Sequence, residues 1–295
     1  MVNHWKYYKR SLKMFQKATR TQSKLRMSID GPAGSGKTYT ALRFAHALAK
    51  QLNHGGKVGF VDTEHGSASK YVGDSPDGIP FQFDVVELKD FSPDRYAEAI
   101  NAAGKFGYSV LVVDSLSHAW EGKGGALEMK MKAGEGWNAW RNVTPIHNRM
   151  IDSMLQSPCH IITTMRSRME YVQEQDAHGR TVIRKVGMSP VQRPGMEYEF
   201  DVLCDMDWAH ILTVSKSRCS AIADMQVDKP GAEFIRPVIE WLTSGEYVPV
   251  QTPKMTMTDL MALYSPEAIM AANGGAIPQT DEEIAAVAAV LGNAV

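Results

Sequence analysis

Cysteine is scarce in this 295-residue chain: Cys159, Cys204 and Cys219 stand far apart, with no C-x-x-C pair among them. The odd count and wide spacing fit reduced, mostly buried thiols and a cytosolic compartment rather than a disulfide framework. No apolar run approaches the ~18 residues that a membrane-spanning helix needs, so no membrane role is expected. The amino-terminal stretch lacks an apolar core of the signal-peptide kind, and a cytoplasmic protein is expected. Excess charge is missing too. Lys and Arg number 32 against 33 Asp and Glu, a net charge of −1, so bulk charge selects no polyanionic partner. No internal repeat is present.

Two local absences of charge say more. Residues 1–26 hold no acid, but they hold Lys6, Lys9, Arg10, Lys13, Lys17, Arg20, Lys24 and Arg26. Residues 255–295 hold no Lys or Arg, but they hold Asp259, Glu267, Asp281, Glu282 and Glu283. A basic arm with an acidic tail is a pattern of nucleic-acid proteins, and it is equally the pattern of two solvated termini. Between them, apolar runs alternate with helical stretches. Strands are expected at 25–29, 58–62, 83–88, 109–114, 160–164, 201–205 and 211–215. Such alternation implies an α/β fold, a mostly parallel central sheet flanked by helices. The expected division is a basic arm and linker over 1–24, a core over 25–248 and an acidic, Ala-rich helical tail over 249–295. In that tail, Thr280-Asp281-Glu282-Glu283 reads as a capping box, and Ser265-Pro266-Glu267 as a second helix start.

What is abundant is glycine in one place. Gly31-Pro32-Ala33-Gly34-Ser35-Gly36-Lys37-Thr38 fits G-x-x-x-x-G-K-[ST], the phosphate-binding P-loop. The alternating Leu25-Arg26-Met27-Ser28-Ile29 reads as a half-buried strand entering it, and 40–50 follows with helical spacing. The helix amino terminus then points at phosphate, Lys37 reaches the β- and γ-phosphates, and the Thr38 hydroxyl ligates Mg²⁺. ATP and Mg²⁺ are therefore the expected cofactors, with Tyr39 next to the loop. Val110-Leu111-Val112-Val113-Asp114 is a buried-strand run ending in an acid, which reads as the Walker B carboxylate that holds the metal's water. Glu64 follows the Gly59–Asp62 run. It is either the base that deprotonates the attacking water or a surface carboxylate at a strand end.

These residues resemble the RecA/RadA-type recombinase ATPases, and more closely the phage-encoded Sak-type single-strand-annealing ATPases. The resemblance rests on Phe60-Val61-Asp62-Thr63-Glu64-His65, Tyr71, Asp114-Ser115 and His210-Ile211-Leu212-Thr213-Val214-Ser215-Lys216-Ser217-Arg218, over roughly residues 15–220. It implies a RecA-like P-loop NTPase core in which Glu64 is catalytic, Tyr71 stacks on adenine, and Lys216 and Arg218 reach a neighbour's γ-phosphate. Without the resemblance, Lys216 and Arg218 are equally two solvated residues on an edge strand. Thr163-Thr164 stand where RecA has Asn-Gln, which makes Thr164 the candidate γ-phosphate sensor.

The same resemblance puts DNA-facing loops near 119–141 and 166–195. There Lys123 and Lys130, then Arg166, Arg168, Tyr171, Arg184 and Lys185, are candidate DNA contacts, either that or solvated surface. Trp137 and Trp140, three apart, fit a helix core face as well as a stacking platform. Phe15-Gln16-Lys17-Ala18 matches the F-x-x-A docking motif of RadA-type proteins, which implicates Phe15 and Ala18 in self-assembly. The expected protein is an ATP-dependent single-stranded-DNA-binding recombination or annealing ATPase. Its partners are single-stranded DNA, further copies in a filament or ring, and a single-strand-binding protein; if it is phage-encoded, the setting is the bacterial host cytoplasm. A helicase- or packaging-type motor and a nucleotide-gated DNA-binding module with negligible turnover are the alternatives.

Overall fold

The computed structural model describes residues 17–52, 56–134, 136–175, 181–248 and 254–292. Its centre is a nine-stranded sheet in the order β3-β2-β4-β5-β1-β7-β8-β9, with β6 paired to β5 off that path. The strands are β1 (Arg26–Gly31), β2 (Val58–Asp62), β3 (Asp84–Glu87), β4 (Val110–Asp114), β5 (His160–Gln175), β6 (Thr181–Pro190), β7 (Val202–Met206), β8 (Ile211–Ser217) and β9 (Gln226–Asp228). From β3 through β7 every neighbouring pair on the path is parallel; β8 and β9 are antiparallel. The chain steps from β1 to β2 on one side and later to β7 on the other. The strand order thus reverses at β1, and parallel sheets bind ligands at the carboxyl ends of strands flanking such a point.

Helices cover both faces. α1 (Lys37–Gln51) and α6 (Ala232–Thr243) pack one face, over a core that includes Met27, Ile29, Leu42, Phe44, Ile235 and Val238. α2 (Pro93–Lys105) and α5 (Trp137–Gln156) pack the other, over Val61, Ile100, Val113, Met150 and Ile161. Two-sided cover corrects one expectation. All six β1 residues are buried, so its alternating pattern does not mark a solvent face. Two of the polar members pair with each other: the Ser28 hydroxyl donates to Asp30 at 2.8 Å. Arg26, counted above with the basic arm, is 6% exposed. Its guanidinium donates to the carbonyls of Leu25, Cys159, Leu155 and Ser157. Burial pulls its pKa down to about 10, with Asp201 opposing. One side chain thereby ties the start of β1 to the turn between α5 and β5.

One further expectation changes, and of the two readings open for 166–195, a long loop or a hairpin, the second holds. The segment expected as a first loop, 119–141, is largely helical. It holds α3 (His118–Glu121), α4 (Ala126–Ala133) and the start of α5. Its Ala-Leu-Glu-Met-Lys-Met-Lys-Ala run consists of strong helix formers, which outweigh the flanking glycines. Trp140 stacks on Trp120 at 5.5 Å between ring centroids, so it packs within the protein. The second segment is a hairpin. β5 runs past the sheet and pairs with β6 from Ser167↔Pro190 to Gln175↔Thr181. In the tail, α7 (Met257–Leu263), α8 (Pro266–Ala272) and α9 (Asp281–Gly292) share a small core of Met255, Leu260, Ile269, Ile284 and Val287. Ser265 and Thr280 cap α8 and α9 as their sequence implies, and Lys105 pairs with Asp259 at 2.6 Å. Among the described residues, no helix is long and apolar enough to cross a membrane.

Replacing Arg26 with Met removes the side-chain donor from the carbonyls of Cys159, Leu155 and Ser157, while that of Leu25 keeps the Ile161 N–H. Urea unfolding is expected to show a loss of about 3 kcal/mol, and an unchanged midpoint would refute the anchoring role.

Candidate nucleotide-binding site

The P-loop links Gly31, the last residue of β1, to Lys37, the first of α1. Glycine is required at both ends of it for different reasons. Gly36 has φ 95°, a left-handed conformation that disfavours side chains. At Gly31 a Cβ would sit 2.5 Å from the Met206 carbonyl oxygen. Gly36 caps α1 without any side-chain hydrogen bond, and the first turn holds no acid. The free N–H groups and the dipole of that turn are therefore available to an anion. Between them, Ser35 is fixed by its carbonyl, which lies 2.9 Å from His210 Nδ1.

Lys37 folds back over the loop and donates to the Pro32 carbonyl at 2.7 Å. Burial lowers its pKa, opposed by Asp114 and Glu64. The Thr38 hydroxyl donates to Asp114 Oδ2 at 2.6 Å, and the Thr164 hydroxyl donates to the other oxygen, Oδ1. Asp114 is 3% exposed. Burial raises its pKa against the pull of those two hydroxyls. Next to it, Ser115 Oγ and Asp62 Oδ2 are buried without a hydrogen-bond partner, as is Ser35 Oγ in the loop.

This oxygen set fits magnesium. The ion takes one or two protein oxygens and completes its shell with water and phosphate, rather than needing an all-protein cage. Among the described residues no group of three or more His, Cys, Asp or Glu side chains is placed to hold a metal. Thr38 would ligate the ion of a bound Mg–nucleotide and Asp114 would hold its water.

Backbone contacts lock the ends of β2 and β4 together. Thr63 N donates to the Asp114 carbonyl at 2.8 Å, and Ser115 N donates to Thr63 Oγ1 at 2.8 Å. Tyr96 OH donates to the Ser115 carbonyl at 2.9 Å. Just past β2, Glu64 N donates to Asp62 Oδ1 at 2.6 Å. The Glu64 carboxylate is gripped by Arg166, with Nε to Oε1 at 3.0 Å and Nη2 to Oε2 at 2.6 Å. Burial alone would raise the Glu64 pKa. The Arg166 fork, with His118 and Lys37, more than reverses this and holds the carboxyl below the usual glutamate value.

Beside the loop lies a cavity of about 480 Å³, lined in part by Tyr39, Thr40, Arg43, Tyr71 and Lys229. That volume is in the range of small-ligand sites. Tyr71 meets Tyr39 edge-on at 5.3 Å, so the residue read as the adenine partner does face the cavity next to the P-loop. Arg43 pairs with Asp77 at 2.7 Å and donates to the Lys229 carbonyl at 2.9 Å, which ties together three segments around that cavity.

The structure thus brings Gly31, Pro32, Ala33, Gly34, Ser35, Gly36, Lys37, Thr38, Tyr39, Glu64, Tyr71, Asp114 and Thr164 to one end of the sheet. Arg166, counted among the DNA candidates, joins them through Glu64. Lys216 and Arg218 lie elsewhere. β8 is antiparallel to β7, which puts Ser217 opposite Val202, at the end of the sheet where β1 begins. There Lys216 Nζ donates to the carbonyls of Glu197 and Tyr198, and Arg218 pairs with Asp201 at 3.0 Å. Lys123 is exposed, Lys130 is half-buried on α4, and Arg168 stands 3.8 Å from Glu121. Tyr171, Arg184 and Lys185 are in the hairpin backbone; their side chains, that of Trp137 and all of Phe15 lie outside the described residues, while Ala18 is exposed.

Sequence reading missed the Arg166 fork, the Tyr96 and Thr63 ties, and His210. Each joins positions far apart in the chain, and no local spacing announces them. Thr164→Val keeps the shape and removes one hydroxyl from Asp114. The Mg²⁺ concentration giving half-maximal ATP turnover is expected to rise about tenfold; an unaltered magnesium titration would contradict the assigned role.

No curated protein matches the sequence. The family model described as an AAA domain matches residues 23–222, about two thirds of the chain. That span starts just before β1, ends after β8, and includes the P-loop, Glu64, Asp114 and Thr164. The chain belongs to this family, and residues 23–222 form an AAA-family P-loop ATPase domain.

Proposed function

We propose that this chain is a Mg²⁺- and ATP-dependent single-stranded-DNA-binding ATPase of the recombination or annealing type, with hydrolysis completed at contacts between copies. The observation that carries the reading is the β5–β6 hairpin. β5 lies next to the P-loop strand, and at its carboxyl end it continues past Arg166 into a two-stranded ribbon. Its described root carries Arg166 and Arg168, and its sequence adds Arg180, Arg184 and Lys185 with Tyr171. Cations alternating with an aromatic suit a single strand, whose phosphates are neutralised while its bases stack.

In this reading Lys37 and the loop amides hold the phosphates, Thr38 and Asp114 hold the metal and its water, and Glu64 accepts a proton from the attacking water. Thr164 reports the state of that centre through Asp114 to β5. Transfer of a phosphoryl group needs positive charge on its outer oxygens. Lys37 supplies some of it. Lys216 and Arg218 lie several strand residues, and so roughly 15 Å, from their own loop; on assembly they would exchange their contacts with Glu197, Tyr198 and Asp201 for a neighbour's nucleotide. Phe15 and Ala18 belong to the same assembly.

Fluorescence anisotropy with labelled single- and double-stranded oligonucleotides tests the reading. With Mg²⁺ and a non-hydrolysable ATP analogue, affinity for the single strand is expected to exceed that for duplex by about tenfold or more, with a steep salt dependence. Equal affinities, or no binding with nucleotide present, would sink it.

A further inference from the structure

At the other end of the sheet, where β1, β4 and β5 begin, lies a second cavity, of about 280 Å³. The length of the strands puts it roughly 15–20 Å from the P-loop. Gln22, Ser23 and Lys24 ahead of β1 meet Ser109, His160 and Thr243 there. Its walls are held by backbone hydrogen bonds. Gln22 N donates to the Glu246 carbonyl at 3.0 Å, Ser23 N to the Leu242 carbonyl at 3.2 Å, and His160 N to the Ser109 carbonyl at 2.9 Å.

His160 gives the cavity its chemistry. It is 3% exposed. Leu25 N donates to its Nδ1 at 3.1 Å, so that nitrogen carries a lone pair and the ring proton sits on Nε2. Burial pulls its pKa down to about 3, with Lys24 and Arg26 adding to the effect, so the ring is neutral. The Nε2–H has no acceptor among the described residues, and the ring lines the cavity. Leaving a buried donor unpaired costs about 1–3 kcal/mol, so the site favours a ligand that accepts.

Lys24 supplies the charge. It is half-buried, burial lowers its pKa, and it pairs with no acid among the described residues. None of the described residues lining the cavity is Asp or Glu. The helix ends near Leu52 and Thr243 bring partial negative charge, about half a unit each at most. Their carbonyls are partly capped, Leu242 by Ser23 N and Ala49 by Leu52 N and Gly56 N. Lys24 and Arg26, the two cations acting on His160, outweigh what is left.

We propose that this cavity binds a small organic anion, whose carboxylate or phosphate accepts from Lys24 Nζ, His160 Nε2–H and the Ser109 hydroxyl while its apolar part lies against Tyr108 and Pro158. The ligand is small because the volume falls just short of drug-sized sites, which start at ~300 Å³. Bound there, it ties the segment ahead of β1 to the core at the end of the sheet remote from the P-loop. The site therefore stands or falls independently of the ATPase and single-strand readings.

Benzoate and phenyl phosphate are the probes, one for each source of the anion. Each is titrated by calorimetry, and the His160 ring-nitrogen signals are followed by NMR on ¹⁵N-histidine-labelled protein. Lys37→Ala controls for phosphate taken up at the P-loop. The wild type and Lys37→Ala are expected to bind at least one probe with a Kd of about 1 mM or tighter, and the His160 signals to shift along the same isotherm. Lys24→Met is expected to lose about tenfold or more in affinity. His160→Asn, whose side-chain oxygen can still accept from Leu25 N, is expected to lose as much; should it not fold, Lys24→Met and the His160 signals carry the test. Binding of one probe alone supports the site and identifies its anion. No binding of either probe, binding that leaves the His160 signals unmoved, or equal affinity in Lys24→Met would overturn it.

Discussion

The buried carboxylate of Asp114 is the point on which the rest of the site depends. Its two oxygens accept from hydroxyls on different elements, Thr38 at the start of α1 and Thr164 in β5. Burying an ionised acid is costly unless it is hydrogen-bonded or neutralised by a cation. Two hydroxyls meet only part of that demand, and the carboxyl's pKa stays raised by burial. A hydrated divalent ion held against the phosphates would meet the remainder. The parallel sheet is what makes the arrangement possible. β1, β4 and β5 lie side by side, all run towards the same edge, and deliver the loop, Asp114 and Thr164 there.

From that point, rigidity spreads in two directions. Towards β2, the Thr63 and Tyr96 hydrogen bonds fix the backbone around Ser115 and so the place from which Glu64 projects. Towards β7 and β8, His210 braces the loop at Ser35. The opposite edge of the sheet is held by Arg26, whose guanidinium gathers four carbonyls. The nucleotide end is thus built on a hydrogen-bonded scaffold, and Arg166 stands at its rim with its side chain 44% exposed.

Much of this was legible in the sequence because it is local. The P-loop octet, the β4 run ending in Asp114 and the β2 run before Glu64 are contiguous signals, and the structure places them together. Helix caps at Ser265 and Thr280 were legible for the same reason. The reading failed where a residue's role depends on distant partners. Arg26 looked like one more base in a cationic arm, and only the turn before β5 reveals it as a buried anchor. The glycines around 122–136 looked like a loop, yet helical propensity between them and the stacking of Trp140 on Trp120 decide otherwise. Arg166 reads locally as a DNA contact or a solvated cation, and nothing in that reading announces its grip on Glu64, 102 positions away.

The central claim is that this end of the sheet both binds Mg–ATP and hydrolyses it, with Glu64 as the base. The most direct measurement compares ATP affinity with ATP turnover in the intact chain and in Glu64→Gln. The account predicts unchanged affinity for ATP and a fall in turnover of about 10²–10⁴-fold. Turnover by Glu64→Gln equal to that of the intact chain would contradict it.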